Sequence, residues 1–304
     1  MKAVYKREVQ SYFTSMTGYI FVAFMVAIIS IYFVILNLNN GLPYFAYTLS
    51  NITFVFLVSV PILTMRSMAE ERKNKTDQLL LTAPVTVADV VVGKYLAMIT
   101  VFGIVCLLTC FCPLIMSAYG GSVQLADYGS ILAFFLMGCA AIAMGMFISS
   151  LTESQIIASV GTFGALLVLF LMSNISSLLP SASAGTFLGF CMMMLVIGLV
   201  IYLLTKNWVL SAAVCVVGIG LLTGLYLWKP ALFSGLFQTV LNSLSLADRF
   251  NNFINQIFDL SAIVYYITFS AVFVFLSAQA VQKRRWSCET EVTTTFNNLG
   301  NTLD

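Results

Sequence analysis

The chain contains no histidine, so imidazole acid–base chemistry and histidine metal sites are closed to it. Charge is scarce as well. Asp, Glu, Lys and Arg make up 9% of the 304 residues, against about a quarter in soluble domains. The net charge is only +2, and no stretch is basic enough to track a phosphate backbone, which sets nucleic acid aside as a partner. Paired carboxylates inside apolar runs are missing, as are an HExxH helix and a GxSxG elbow, so an intramembrane enzyme fits poorly. The seven cysteines form no CxxC pair. Cys106, Cys110, Cys112, Cys139, Cys191 and Cys215 sit in apolar runs, where a thiol packs as a small hydrophobe, and Cys288 follows the last run.

What is present in excess is apolar side chain, 60% of the residues. A soluble surface must be covered with polar groups, and this composition cannot supply them. A bilayer removes that demand. A helix crossing the hydrocarbon needs roughly 20 apolar residues. Eight runs meet that requirement: 18–37, 49–66, 94–117, 128–150, 155–174, 184–205, 207–228 and 260–281. They are continuous rather than alternating, so they read as helices. The expected fold is an all-α polytopic membrane protein, one transmembrane domain over 1–304, with Pro61 and Pro113 kinking two spans. Residues 1–14 lack the apolar core of a cleaved signal, and the run after them is long enough to stay as a span.

Lys and Arg set the orientation. If the N-terminus is cytoplasmic, every basic residue except Lys229 and Arg249 lies in or beside an inner segment. Both termini are therefore expected in the cytoplasm, with the chain in the plasma membrane. Residues 1–17 read as an interfacial helix, with Val4, Tyr5, Val9, Tyr12 and Phe13 on one face and Lys2, Lys6 and Gln10 on the other. The stretch 229–259 holds short amphipathic helices, expected to be interfacial or re-entrant on the outer face. The tail 286–304 is polar and expected to be flexible. Pairs of small residues four apart, Ala141 and Gly145, Gly161 and Ala165, Gly220 and Gly224, suit close helix packing within the chain or a dimer seam.

The most informative segment is the long connection 65–94. Ordinary connections run about 2–8 residues. This one gathers Arg66, Glu70, Glu71, Arg72, Lys73, Lys75 and Asp77, then Leu79, Leu80 and Leu81, then Val85, Val87, Val90 and Val91. A charged helix followed by apolar residues, all outside the bilayer, points to a docking surface. No nucleotide loop accompanies it. Gly93-Lys94 looks like the end of a Walker A motif, but Tyr95 replaces the hydroxyl residue and Ala88 the first glycine. The residues alone leave three classes open: an ATP-driven permease, a secondary transporter or channel acting alone, and a membrane scaffold.

The run Glu70 to Val85, EERKNKTDQLLLTAPV, with the later Gly93-Lys94, resembles the first cytoplasmic loop of ABC-2-type exporter permeases, and most of all the gliding-motility branch. Lys75 and Gln78 stand where that pattern has glycine and glutamate. The resemblance implies a permease subunit with no catalytic site and no cofactor of its own. ATP and Mg would be bound by a cytoplasmic ABC ATPase, present in two copies, and a second permease, identical or paralogous, would complete the unit. An auxiliary extracytoplasmic protein is a further partner by the same analogy. The ATPase would dock on a coupling helix between the second and third spans, on Glu70, Glu71, Arg72, Thr76, Asp77, Gln78, Leu79, Leu80, Leu81 and Pro84. The cargo implied by apolar walls with few charges is amphipathic, lipidic or peptide-like.

Overall fold

The computed structural model describes residues 2–73, 86–119, 125–178, 183–205, 208–228 and 236–300. Among these the chain is helical apart from short turns and connections. The helices are α1 (Lys2–Thr14), α2 (Met16–Phe33), α3 (Phe45–Ile52), α4 (Phe56–Thr64), α5 (Ala69–Lys73), α6 (Val87–Thr109), α7 (Phe111–Ala118), α8 (Leu125–Leu151), α9 (Gln155–Leu178), α10 (Ser183–Thr205), α11 (Trp208–Trp228), α12 (Leu236–Leu244), α13 (Asp248–Ile254) and α14 (Leu260–Gly300). Six stretches of described helix are long and apolar enough to cross a bilayer: Met16–Asn39, Phe45–Lys73, Val87–Ala118, Leu125–Leu151, Gln155–Ser177 and Leu260–Lys283. The protein is an all-α, multi-pass membrane protein. The two remaining expected spans coincide with α10 and α11, whose described apolar stretches, Gly185–Leu195 and Cys215–Gly224, are shorter.

The chain divides into two compact units, one made of Met1–Leu167 with Arg249–Asp304, the other of Val168–Asp248. In the first unit α8 is the hub. It packs against α3, α4, α6 and α14. Two-thirds (67%) of its apolar window is buried, against 22% for the spans in α2 and α14. The reason lies in its sequence, Gly138-Cys139-Ala140-Ala141-Ile142-Ala143-Met144-Gly145, a helix surface with almost no side-chain bulk. A Cβ on Gly145 would sit 2.9 Å from Thr64 Cγ2 and 3.0 Å from Thr162 Cγ2. Gly145 and the fully buried Ala141 therefore serve packing inside the chain. Around Gly138 the bundle is aromatic. Phe56 stacks on Phe134 at 4.8 Å between centroids and meets Phe102 edge-on at 5.6 Å.

Pro113 lacks the N–H that would bond the carbonyl of Thr109, and the helix is interrupted at Cys110, between α6 and α7, whereas Pro61 lies inside α4. At the end of the bundle away from α1, carboxylates cap helices. Asp127, almost wholly buried, accepts the Phe45 amide at 3.1 Å. Asp259 accepts the Ser261 amide at 2.8 Å and the Asn252 side chain at 2.7 Å. These bonds, led by the one from Asn252, hold the Asp259 carboxyl below its ordinary pKa. The last helix runs past its apolar stretch to Gly300. The helix thus includes residues 286–300 of the polar tail. Nothing between Gln282 and Leu299 breaks a helix already nucleated by the span, and elongation costs little.

The second unit contains an antiparallel hairpin of α10 and α11. Phe187 meets Tyr226 at 4.9 Å, and Cys215 reaches the Met194 carbonyl at 3.7 Å. The described helices of the stretch 229–259, α12 and α13, have 9 and 7 residues, too few to cross hydrocarbon.

Gly138→Ala would place its Cβ inside contact distance of the buried Phe102 ring. The variant should lose about 1–3 kcal/mol of stability by overpacking, read as a lower thermal midpoint in detergent, and Phe102→Leu should restore part of it.

Candidate functional site

Of the residues expected to dock a partner, Glu70, Glu71 and Arg72 lie in α5. Thr76, Asp77, Gln78, Leu79, Leu80, Leu81 and Pro84 fall outside the described residues. The structure therefore gives the two stems of the segment, 65–73 and 86–94.

The first stem is held on two sides. The initial N–H groups of a helix have no intrahelical partner. Here the Ser149 hydroxyl, at the end of α8, accepts from Met68 N at 3.3 Å and Ala69 N at 3.2 Å. Arg72, nearly buried, donates to the Thr152 carbonyl in the turn between α8 and α9 at 3.4 Å. Glu70 stays outside this packing, in an exposed pair with Arg66 at 3.7 Å. Such pairs contribute about 0–1 kcal/mol.

The other side of the stem is ionic. Lys94 Nζ lies 2.8 Å from Glu71 Oε1 and 3.1 Å from Glu8 Oε1. Arg7 Nη2 touches the same two oxygens, at 3.1 Å and 2.8 Å. Charges thus alternate around a ring drawn from α1, α5 and α6. Lys94 is its buried member, with 3% of its side chain exposed, whereas Arg7 is 55% exposed. The Glu8 hydrogen bond, ahead of the opposing effect of burial, raises the Arg7 pKa.

The second stem is capped by its own sequence. Thr86 accepts the Asp89 amide at 3.2 Å while its hydroxyl donates to Asp89 Oδ2 at 2.8 Å, and α6 starts at Val87. Val91 is fully buried and so is lost to any docking face.

Between the stems lies α1. Its apolar face rests on α6. A Cβ on Gly93 would meet Val4 Cγ1 at 3.2 Å and the Tyr5 amide nitrogen at 3.4 Å, so glycine lets the two helices touch. The Tyr5 and Thr100 hydroxyls are 2.9 Å apart. Buried Tyr12 donates to the Leu63 carbonyl at 3.4 Å. Burial first, then Glu8, Glu70 and Glu71, pushes the Tyr12 hydroxyl up and keeps it a donor.

Gly93-Lys94, the remnant of a nucleotide motif by appearance, is thus a seat for α1 and a buried countercharge. Sequence reasoning missed Glu8. The signal was available: Val4, Glu8 and Tyr12, spaced by four, share one helix face, and a lone carboxylate on a buried stripe needs a cation. The described parts of the segments 1–17, 65–94 and 151–154, expected on one side of the membrane, meet at this one end of the bundle.

The family model described as ABC-2 family transporter protein matches residues 27–206, more than half of the chain, including the whole 65–94 segment. No curated protein and no solved structure matches the chain.

Lys94→Met leaves Glu8 and Glu71 without their buried partner. It should cost roughly 3–5 kcal/mol, seen in detergent-solubilised thermal unfolding. Arg7→Ala, on the exposed side of the ring, should cost much less, and equal losses would refute the asymmetry.

Proposed function

The chain belongs to the ABC-2 family of transporter proteins, and we propose that it is the permease subunit of an ATP-binding cassette exporter, working with a separate cytoplasmic ATPase. The family supplies a membrane domain, not a hydrolytic site, and implies an ABC ATPase as partner. The finer reading is the gliding-motility branch, with two permeases and two ATPases, eight spans, and both termini in the cytoplasm of a plasma-membrane protein. ATP and Mg sit on the partner.

One observation carries the mechanism: both stems of the 65–94 segment are fastened, to α8 through Ser149 and to α1 and α6 through Glu71, Lys94 and Gly93. The stretch between them, 74–85, is the part offered to the ATPase. Asp77, Gln78, Leu79, Leu80, Leu81, Thr76 and Pro84 make the contact, with Glu70 beside them. Glu71 and Arg72 serve the same site from within, by holding the stem. Leucine anchors suit the task, since each buried Leu is worth about 1.5–3 kcal/mol. Closure of two ATPases on ATP would displace the stems, and with them the ends of α4 and α6. The path would run between two permeases, whose apolar walls suit an amphipathic, lipidic or peptide-like cargo.

Purification from native membranes should bring down a stoichiometric ATPase. Leu79→Asp with Leu80→Asp should abolish that association while leaving membrane insertion intact. Survival of the complex in the double variant would overturn the docking assignment. A chain that transports without any ATPase would be a secondary transporter or channel, and one that binds ATPase without nucleotide-dependent flux in vesicles would be a scaffold.

A further inference from the structure

We propose that Arg249, with the half-exposed aromatic ladder that runs from it along α14, binds a bilayer amphiphile with an anionic headgroup. The guanidinium takes the head, and Tyr265, Phe269 and Phe273 take the chain. The binding rests on these residues; only its meaning, a contact with cargo, rests on the permease reading above.

Basic residues are scarce at the end of the bundle away from α1. The expected orientation leaves only Lys229 and Arg249 outside. Arg7, Arg66 and Lys94, at the other end, are paired with carboxylates. Arg249 is held differently. Its Cζ stands 5.1 Å from the centroid of the Tyr265 ring, and its Nη1 donates to Ser261 Oγ at 3.4 Å. Among the described residues no carboxylate pairs with it. Asp259 feels its charge, but the Asp259 oxygens are taken by the Asn252 side chain and the Ser261 amide. A guanidinium carries several N–H donors in a planar fork that matches a phosphate or carboxylate. Held over a ring, with one donor on a hydroxyl, Arg249 keeps most of that fork for an anion.

The ladder starts at the same ring. Tyr265, Phe269 and Phe273 are spaced by four on α14, with successive centroids 5.9 Å and 4.6 Å apart, and Phe147 of α8 meets Phe273 at 5.6 Å. All four rings are partly exposed. Val272 and Leu276, on the same flank, are exposed as well. A cation at the end of an apolar flank fits a molecule that is anionic at one end and hydrocarbon at the other. A free anion would have no use for the ladder, and a zwitterionic head would bring its own cation to the guanidinium.

The test uses the full chain in vesicles, with Trp208, Trp228 and Trp286 replaced by phenylalanine and Phe269→Trp as the sole tryptophan. Phosphatidylglycerol or phosphatidylcholine with brominated chains is mixed into a phosphatidylcholine bilayer, and quenching gives the relative affinity at the ladder. Phosphatidylglycerol should be preferred by about fivefold, the weight of one basic side chain on an anionic lipid, and the preference should fall with salt. Arg249→Gln should abolish the preference, and Lys283→Gln, far along α14, should leave it unchanged. If Arg249→Gln does not fold, Ser261→Asp decides. It sets a carboxylate beside the guanidinium in the first turn of α14, where an acid suits the helix start, and should abolish the preference too. Equal quenching by the two lipids in the wild type, a preference that survives these substitutions, or an equal loss in Lys283→Gln overturns the proposal. Quenching by neither lipid also overturns it, because the ladder would then be covered by a second copy. So does loss of the preference on adding inorganic phosphate at constant ionic strength, because the seat would then serve a free anion. Absence of an ATPase from native-membrane preparations would remove the permease reading and leave the binding result standing.

Discussion

The charged end of this protein depends on one buried ammonium. Lys94 is held between Glu8 and Glu71, and those two carboxylates come from opposite directions along the chain, one from the first helix and one from the start of the 65–94 segment. A charge taken out of water must be matched, and the match fixes geometry more tightly than apolar contact does. Lys94 thus ties both α1 and α5 to α6. The glycine before it brings α1 close enough for the carboxylate to reach.

The rest of the first unit is arranged around a helix that lacks bulk. Because α8 presents glycine and alanine over two turns, its neighbours approach closely, and their large side chains, Phe56 and Phe102 among them, fill the space beside it and meet its own Phe134. In lipid there is little hydrophobic drive between helices, so close packing of this kind is what holds them together. The same helix ends in Ser149, whose hydroxyl closes the start of α5. The hub of the bundle thus also anchors the first stem of the 65–94 segment.

Charges at the opposite end have a different task. Asp127 and Asp259 lie at span ends, where ion-coupled transport would place its carboxylates, yet both are occupied with helix starts. A carboxylate that accepts backbone amides at a helix N-terminus stabilises that terminus. Charge is scarce inside the described spans as well.

The sequence by itself determined the membrane environment, the all-helical fold, most of the spans and the singular character of the 65–94 segment. Each of these follows from local quantities: apolar run length, the sparsity of charge, and a connection too long to be a simple turn. It also carried the family, through the run Glu70 to Val85. Tertiary structure alone decided what Glu71, Arg72 and Lys94 touch. As isolated letters they were a docking pair and a membrane-edge cation; in space they meet Arg7, Thr152 and Glu8, residues far away along the chain. The assignment of Ala141 and Gly145 to packing within the chain was likewise settled by Thr64 and Thr162, on other helices. Burial and ion pairing are relations between distant segments, and a linear pattern records only one partner at a time.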